Sequence, residues 1–202
     1  VVSGRVEADL FAGGDARLVG LWELTETLKE RHSMVRLVTE PDHRKALRKT
    51  SDRLAKFASA QERKIAELTV GSSNLERLNV SLVRLRDIVW ALEREIFAAV
   101  DATLDLGALG DGRDVEPDRA WELVKLNAIF ENLDRLEVRG RDSAGVSLLL
   151  LYPGPGALGE FLEGLSDPLR SDLEGRQELS DLTDRSVVVG RGPLNSSLCF
   201  VY

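Results

Sequence analysis

The amino-acid sequence predicts an α+β protein in which a long helical hairpin or small bundle precedes a shorter mixed segment. Three observations predict it. Between Leu75 and Leu106 the apolar residues recur in alternating steps of three and four, the repeat of one helix face. After about residue 136 the period changes, and Val146 to Tyr152 is an unbroken apolar run of strand length closed by Pro153, Gly154, Pro155 and Gly156. The charge is divided too: residues 1–110 carry 17 Lys and Arg against 17 Asp and Glu, whereas residues 111–202 carry 10 against 17 and hold the entire net charge of -7.

The composition narrows the classes. With 202 residues, 43% of them hydrophobic, the chain can bury a core, which excludes global disorder. The longest apolar run is far shorter than the roughly 20 residues a membrane-spanning helix needs, and no signal segment precedes it. A single cysteine, Cys199, excludes an internal disulfide and a Cys-rich zinc site, and a reducing, cytoplasmic setting is expected. Two histidines leave little for His-based metal chemistry, so neither metal nor cofactor is expected. Val1 at the start, with Met34 as the sole methionine, raises the expectation of a piece of a longer chain.

Taken in order, Leu18, Leu21, Trp22, Thr25 and Leu28 form one stripe and predict a helix from Ala16 to about Leu37. Pro41 suits a first helical turn, so a second helix is expected from there to about Leu68. This helix carries a basic stretch from Arg44 to Lys64. It reads as a solvated face pairing with acidic neighbours; contact with phosphate or anionic lipid is the alternative, disfavoured by one aromatic, Phe57, and by the overall charge. Gly71, Ser72, Ser73 and Asn74 separate it from a third helix. There Leu75, Leu78, Leu82, Leu85, Val89, Leu92, Ile96, Ala99, Thr103 and Leu106 form a coiled-coil-like seam without a slip, and Val83, Trp90 and Phe97 widen the buried face. Asp114, Glu116 and Asp118 lack the ligand spacing of a calcium loop and suit the start of a helix from Asp118 to Leu136. The mixed end is expected to hold a strand at Val146–Tyr152 buried on both faces, short helices at Leu158–Leu165 and Pro168–Leu173, and strands at Ser186–Val189 and Leu198–Tyr202. Cys199, between Leu198 and Phe200, reads as an ordinary buried strand residue.

At the junction of helix and strand stands Leu136-Glu137-Val138-Arg139-Gly140-Arg141-Asp142-Ser143-Ala144-Gly145-Val146. Physically it is a helix end followed by a turn whose glycines permit close backbone approach. Its order, Arg-Gly-x-Asp-Ser-Ala-Gly before an apolar strand, with Ala128 to Leu136 as the upstream helix, resembles the class II glutamine amidotransferases. The closest branch is glutamine:fructose-6-phosphate aminotransferase (glucosamine-6-phosphate synthase), and the match covers about residues 120–152. The resemblance implies part of an N-terminal-nucleophile-hydrolase-like αββα sandwich. In that family an N-terminal cysteine thiolate attacks the glutamine side-chain amide with its own α-amino group as base. Ammonia then passes to a sugar-isomerase-type domain, so glutamine and a sugar phosphate are the implied partners of the parent. Arg139 and Gly140 would line the glutamine pocket, Asp142 and Ser143 would brace the loop, and Gly145 would let the strand begin.

Departures accompany the likeness. Val138 and Arg141 stand where the family usually has aromatics, no cysteine precedes Arg139, and neither the His-Thr-Arg-Trp segment nor an Asn-Gly pair follows, since Ser196 succeeds Asn195. Two explanations compete: a nucleophile upstream of Val1, with residues 1–15 as strand tail and linker, 16–110 as a helical insertion and 117–202 as a partial amidotransferase-like domain; or a scaffold that has lost glutaminase chemistry. Either way the fragment itself is expected to be inactive and to contain no catalytic residue. The reading from another class is a helical dimerisation or docking module, with a homodimer as one form. No membrane partner is expected, and nucleic acid is the least expected one.

Overall fold

The computed structural model describes residues 11, 14–67, 72–139, 146–154, 156–178, 186–192 and 194–201, without the side chains of 72–73 and 136–139. The chain is α+β and divides into two compact units, Val1–Asp134 and Arg135–Tyr202. The described elements are α1 (Asp15–Thr27), α2 (Arg31–Thr39), α3 (Pro41–Glu67), α4 (Ser72–Trp90), a π-helical stretch (Ala91–Phe97), α5 (Ala98–Leu106), α6 (Pro117–Arg139), β1 (Ser147–Pro153), α7 (Ala157–Glu163), α8 (Asp167–Gly175), β2 (Val187–Arg191) and β3 (Asn195–Val201).

In the first unit α3 and the continuous α4–π–α5 rod run antiparallel. Glu62 meets Arg86 at 2.9 Å while Arg48 meets Asp101 at 2.6 Å, so positions that rise on one helix fall on the other. Two apolar clusters fill the unit. Leu78, Leu82 and Leu85 of α4 close on Leu18, Ala58 and Ile65; Ile88, Leu92, Ile96, Phe97, Val100 and Leu104 close on Met34, Leu37, Val38, Ala120 and Val124. Each fully buried Leu or Ile side chain is worth about 1.5–3 kcal/mol of transfer free energy, which makes these clusters the main source of the unit's stability.

The expected first helix is broken into α1 and α2 by a turn at residues 28–30, although neither Gly nor Pro stands there. The reason is the phase of the apolar residues. A straight helix advances 100° per residue, so it would carry the Leu18–Leu21–Thr25–Leu28 stripe on to His32, Val35 and Arg36. The turn re-aims Met34, Leu37 and Val38 into the core instead. Lys29 lies in this turn, 2.7 Å from both Glu26 and Glu95. Partial burial works against its charge, but the bonds to the two carboxylates hold its pKa above the ordinary lysine value.

A second correction concerns the long seam, which does slip. Val83, Trp90 and Phe97 share one heptad position, yet Val83 and Trp90 are 55% and 57% exposed while Phe97 is buried. The π-helical stretch lies between Trp90 and Ala98. Its wider turn inserts about one residue into the register, a rotation of roughly 100°, and this swings Phe97 into the core. Leu106, at the end of the seam, is exposed.

The loop 107–116 is tied down by Arg44. Its guanidinium donates to the Leu37 and Val38 carbonyls at the end of α2, at 2.6 and 3.1 Å, and to the Asp111 carbonyl at 2.9 Å. Gly112 is buried with φ +81°, and a Cβ there would collide with the Val38 carbonyl. Only glycine satisfies both demands. The N-terminal half of α6, placed by sequence with the α/β segment, packs its Ala120 and Val124 into the first unit.

The second unit is a three-stranded antiparallel sheet of order β1–β3–β2. Register pairs Leu149 with Cys199 and Cys199 with Val188; one step along, Leu151 pairs with Ser197 and Ser197 with Gly190. Helices α7 and α8 supply Leu158, Leu162 and Leu173 to one face, where Leu150, Tyr152, Val187, Val189, Leu198 and Phe200 gather. Among the described residues no element covers the other face. The expectation that Val146–Tyr152 is buried on both sides is therefore corrected: Leu149 and Leu151 are 55% and 66% exposed.

Candidate functional site

The sequence-predicted site lies between α6 and β1. The backbone of Arg139 closes α6, and its side chain lies outside the described residues, as do Gly140, Asp142, Ser143 and Gly145 altogether. What is described is the frame on either side: a helix that runs to Arg139 and a strand that starts at Ser147. Strand direction alternates the side chains of β1 between the two sheet faces. Leu148, Leu150 and Tyr152 thus share the helix-covered face, and Ser147, Leu149 and Leu151 the bare one.

On the covered face Tyr152 packs against Phe161 with ring centroids 5.3 Å apart, and burial pushes its phenol above the usual tyrosine range. At the edge of this face a hollow of about 260 Å³ is walled by Leu162, Arg170, Leu173, Gln177 and Arg191. Arg170 donates to the Glu163 carbonyl at 2.8 Å, leaving its Nε buried without a protein partner. On the bare face Cys199 occupies the central strand between Leu149 and Val188. It is half-buried with a free thiol, which corrects its reading as a core residue. A Cβ on Gly190 would strike the Ser197 hydroxyl, so the glycine makes room for that side chain across the strands.

In the first unit the basic stretch sorts itself by partner. Arg44 and Arg48 turn toward the loop and Asp101, and Arg48 also stacks over the Phe97 ring at 4.4 Å. Lys45, Lys49, Arg53 and Lys56 are exposed. Among the described residues no group of three His, Cys, Asp or Glu side chains is placed to hold a metal ion, and no helix is long and apolar enough to cross a membrane.

Sequence reasoning missed one surface. Val19 and Trp22 of α1 and Val80, Val83 and Trp90 of α4 are all exposed. Two adjoining hollows of about 500 and 450 Å³ share Val80 and Val83 as their floor and are flanked by Glu76, Asn79, Trp22, Arg84 and Asp87. The signal in the sequence is the pair Val83 and Trp90, seven apart and off the main seam, a spacing that by itself suits extra buried width as well as a second, exposed stripe. No family model, curated protein or solved structure matches this chain.

Proposed function

We propose that the second unit is part of a glutamine amidotransferase-like domain of the class II, aminosugar-phosphate-forming kind, and that the helical unit is an insertion into it. The observation that carries the reading is the motif Arg139-Gly140-Arg141-Asp142-Ser143-Ala144-Gly145 between a helix and an apolar strand, the frame the resemblance calls for. The sheet adds support. One face is sealed by α7 and α8, while the other presents Leu149, Leu151, Val188 and Val201 to solvent. An inner layer of a two-sheet sandwich has this form, because its bare face packs about 10 Å from a second sheet. In this reading Arg139 and Gly140 line the glutamine pocket, Asp142 and Ser143 brace the loop, and Gly145 opens the strand. This reading requires a nucleophilic cysteine that residues 1–138 do not contain, so residues 1–202 alone are expected not to hydrolyse glutamine.

The test starts from the parent open reading frame: Met-Cys-Gly ahead of Val1 and His-Thr-Arg-Trp beyond Tyr202 are expected. The intact parent should release ammonia from glutamine, and Arg139→Ala should lower that rate through KM for glutamine. Joint absence of the two motifs, or a parent without glutaminase activity, overturns the reading.

A second reading, a docking module on an amidotransferase-like scaffold, is favoured by the exposed Trp22, Val80, Val83 and Trp90. Large aromatic residues left at a surface are the usual anchors of protein interfaces.

A further inference from the structure

We propose that the outer face of α4 is a docking surface for one basic amphipathic helix of a partner protein. The inference deepens the docking reading and is independent of the amidotransferase one.

The residues that face outward are Glu76, Val80, Val83, Asp87 and Trp90, and their spacings are four, three, four and three. This is a second seam of helical period on the side of α4 away from its core residues Leu78, Leu82 and Leu85. A stripe of that period is followed without loss of contact by another helix, whose side chains enter the gaps between its own. An extended strand repeats every two residues and would drift off it. The hollows on either side of Val80 and Val83, one lined by Leu75, Glu76 and Asn79 of α4 itself and the other walled by Val19 and Trp22 of α1, supply the concavity that such side chains fill.

Charge selects the partner. Glu76 and Asp87 sit on the seam itself, eleven residues or about 16 Å apart along the helix, and neither carboxylate has an ion-pair partner among the described residues. Arg84, the nearest cation lining the groove, is committed to Asp15. An incoming helix therefore meets two uncompensated acids separated by apolar side chains, and basic residues about three turns apart on its apolar face would complete them.

The same acids disfavour a second copy of the chain. A parallel pairing sets Glu76 against Glu76 and Asp87 against Asp87. The antiparallel register that matches Val80 with Val83 of a second copy sets Glu76 against its Asp87. Both registers bring like charges together, which is the arrangement that discourages a wrong partner.

The test uses the full 202-residue chain and a fluorescein-labelled leucine–lysine peptide of about 18 residues patterned for one apolar helical face, with a leucine–glutamate peptide of the same pattern beside it. Anisotropy should show the lysine peptide binding at least about tenfold more tightly than the glutamate one. Val83→Asp should abolish binding. The double variant Glu76→Lys with Asp87→Lys should invert the preference, while Asp105→Lys with Glu122→Lys, equal in charge but elsewhere, should leave it in place. These exposed charge changes do not threaten the fold. Equal effects of both double variants overturn the proposal, as does a lysine peptide unaffected by Val83→Asp. Sedimentation distinguishes the underlying reading: a dimer of the chain that Val83→Asp dissociates retains a docking face but overturns the basic partner, whereas a monomer that binds neither peptide removes both.

Discussion

The helical unit and the sheet unit differ in how completely each closes its own core. In the first, helices surround the apolar clusters, and Leu37, Val38, Ile88, Ile96 and Val100 lose all contact with solvent. In the second, Leu198 and Val187 are sealed beneath α7 and α8, but a strand residue away Leu149, Leu151 and Val188 stand in water. Three strands give a hydrophobic face enough area to hold together once helices cover it; they give no cover to the opposite side. A strand apolar at every position, as Leu148–Leu151 is, announces two layers of neighbours, and one such layer is present in the described residues.

The largest expected effect lies at the π-helical stretch, inside the core that the helical unit closes. Phe97→Ala should destabilise the helical unit by about 3–5 kcal/mol, since it removes a buried aromatic and leaves a cavity. Trp90→Ala, one heptad earlier on the same nominal line, should change stability by less than about 0.5 kcal/mol. Urea denaturation followed by circular dichroism at 222 nm measures both. Equal costs would mean that the register does not slip between them.

Next in size is the matching contrast within the sheet. Leu198→Ala should cost about 2–4 kcal/mol, as expected for a fully buried leucine on the covered face. Leu151→Ala, on the bare face, should cost nearly nothing in stability and reduce self-association at high concentration. Tyrosine fluorescence in a chain whose three tryptophans are replaced by phenylalanine follows this unit, which holds both Tyr152 and Tyr202. All three, Trp22, Trp90 and Trp121, lie in the other one. A large loss of stability on Leu151→Ala would show that the bare face is covered within the chain.

Gly112→Ala ranks third, at about 2–3 kcal/mol, because a side chain at φ +81° is strained and the new Cβ meets the Val38 carbonyl. Arg44→Ala acts on the same junction and should cost less, about 1–2 kcal/mol, by freeing the carbonyls of Leu37, Val38 and Asp111. Thermal melts read by tryptophan fluorescence check both. The helical unit should respond, and the sheet unit should not.

Much of this architecture is written in local pattern. Pro41 begins α3 where a first-turn proline belongs, Pro168 stands in the first turn of α8, and the three strands fall on the three β-branched or apolar runs. What escaped had no local mark. The turn at residues 28–30 contains no breaker and exists because Met34, Leu37 and Val38 need a different direction from Leu18 and Leu21. The slip at Ala91–Phe97 follows from where the core lies on either side of it, and a heptad count run straight through cannot register it. Exposure of Leu149 and Leu151 depends on a layer outside their own strand. The motif from Arg139 to Gly145 was legible as a motif, and the helix and strand around it are where the pattern placed them. Its side chains lie outside the described residues, so the candidate site rests on order in the sequence rather than on geometry.

The smallest expected effect tests the helical unit's closure from the opposite direction. Closure buries polar atoms along with apolar ones, and the Ser51 hydroxyl on α3 is buried without a hydrogen-bond partner. Buried Thr25 and Thr103 escape this cost by donating to the Leu21 and Ala99 carbonyls one turn back. Ser51 makes no such bond, and a lone buried hydroxyl carries a desolvation cost that alanine does not. Alanine is also the better helix former, by a few tenths of a kcal/mol, and fills nearly the same space. Ser51→Ala should therefore stabilise the unit by about 0.5–1 kcal/mol, seen as a higher urea midpoint with an unchanged slope. A loss of stability would mean that the hydroxyl holds a partner in solution and that this core is wetter than its side chains imply.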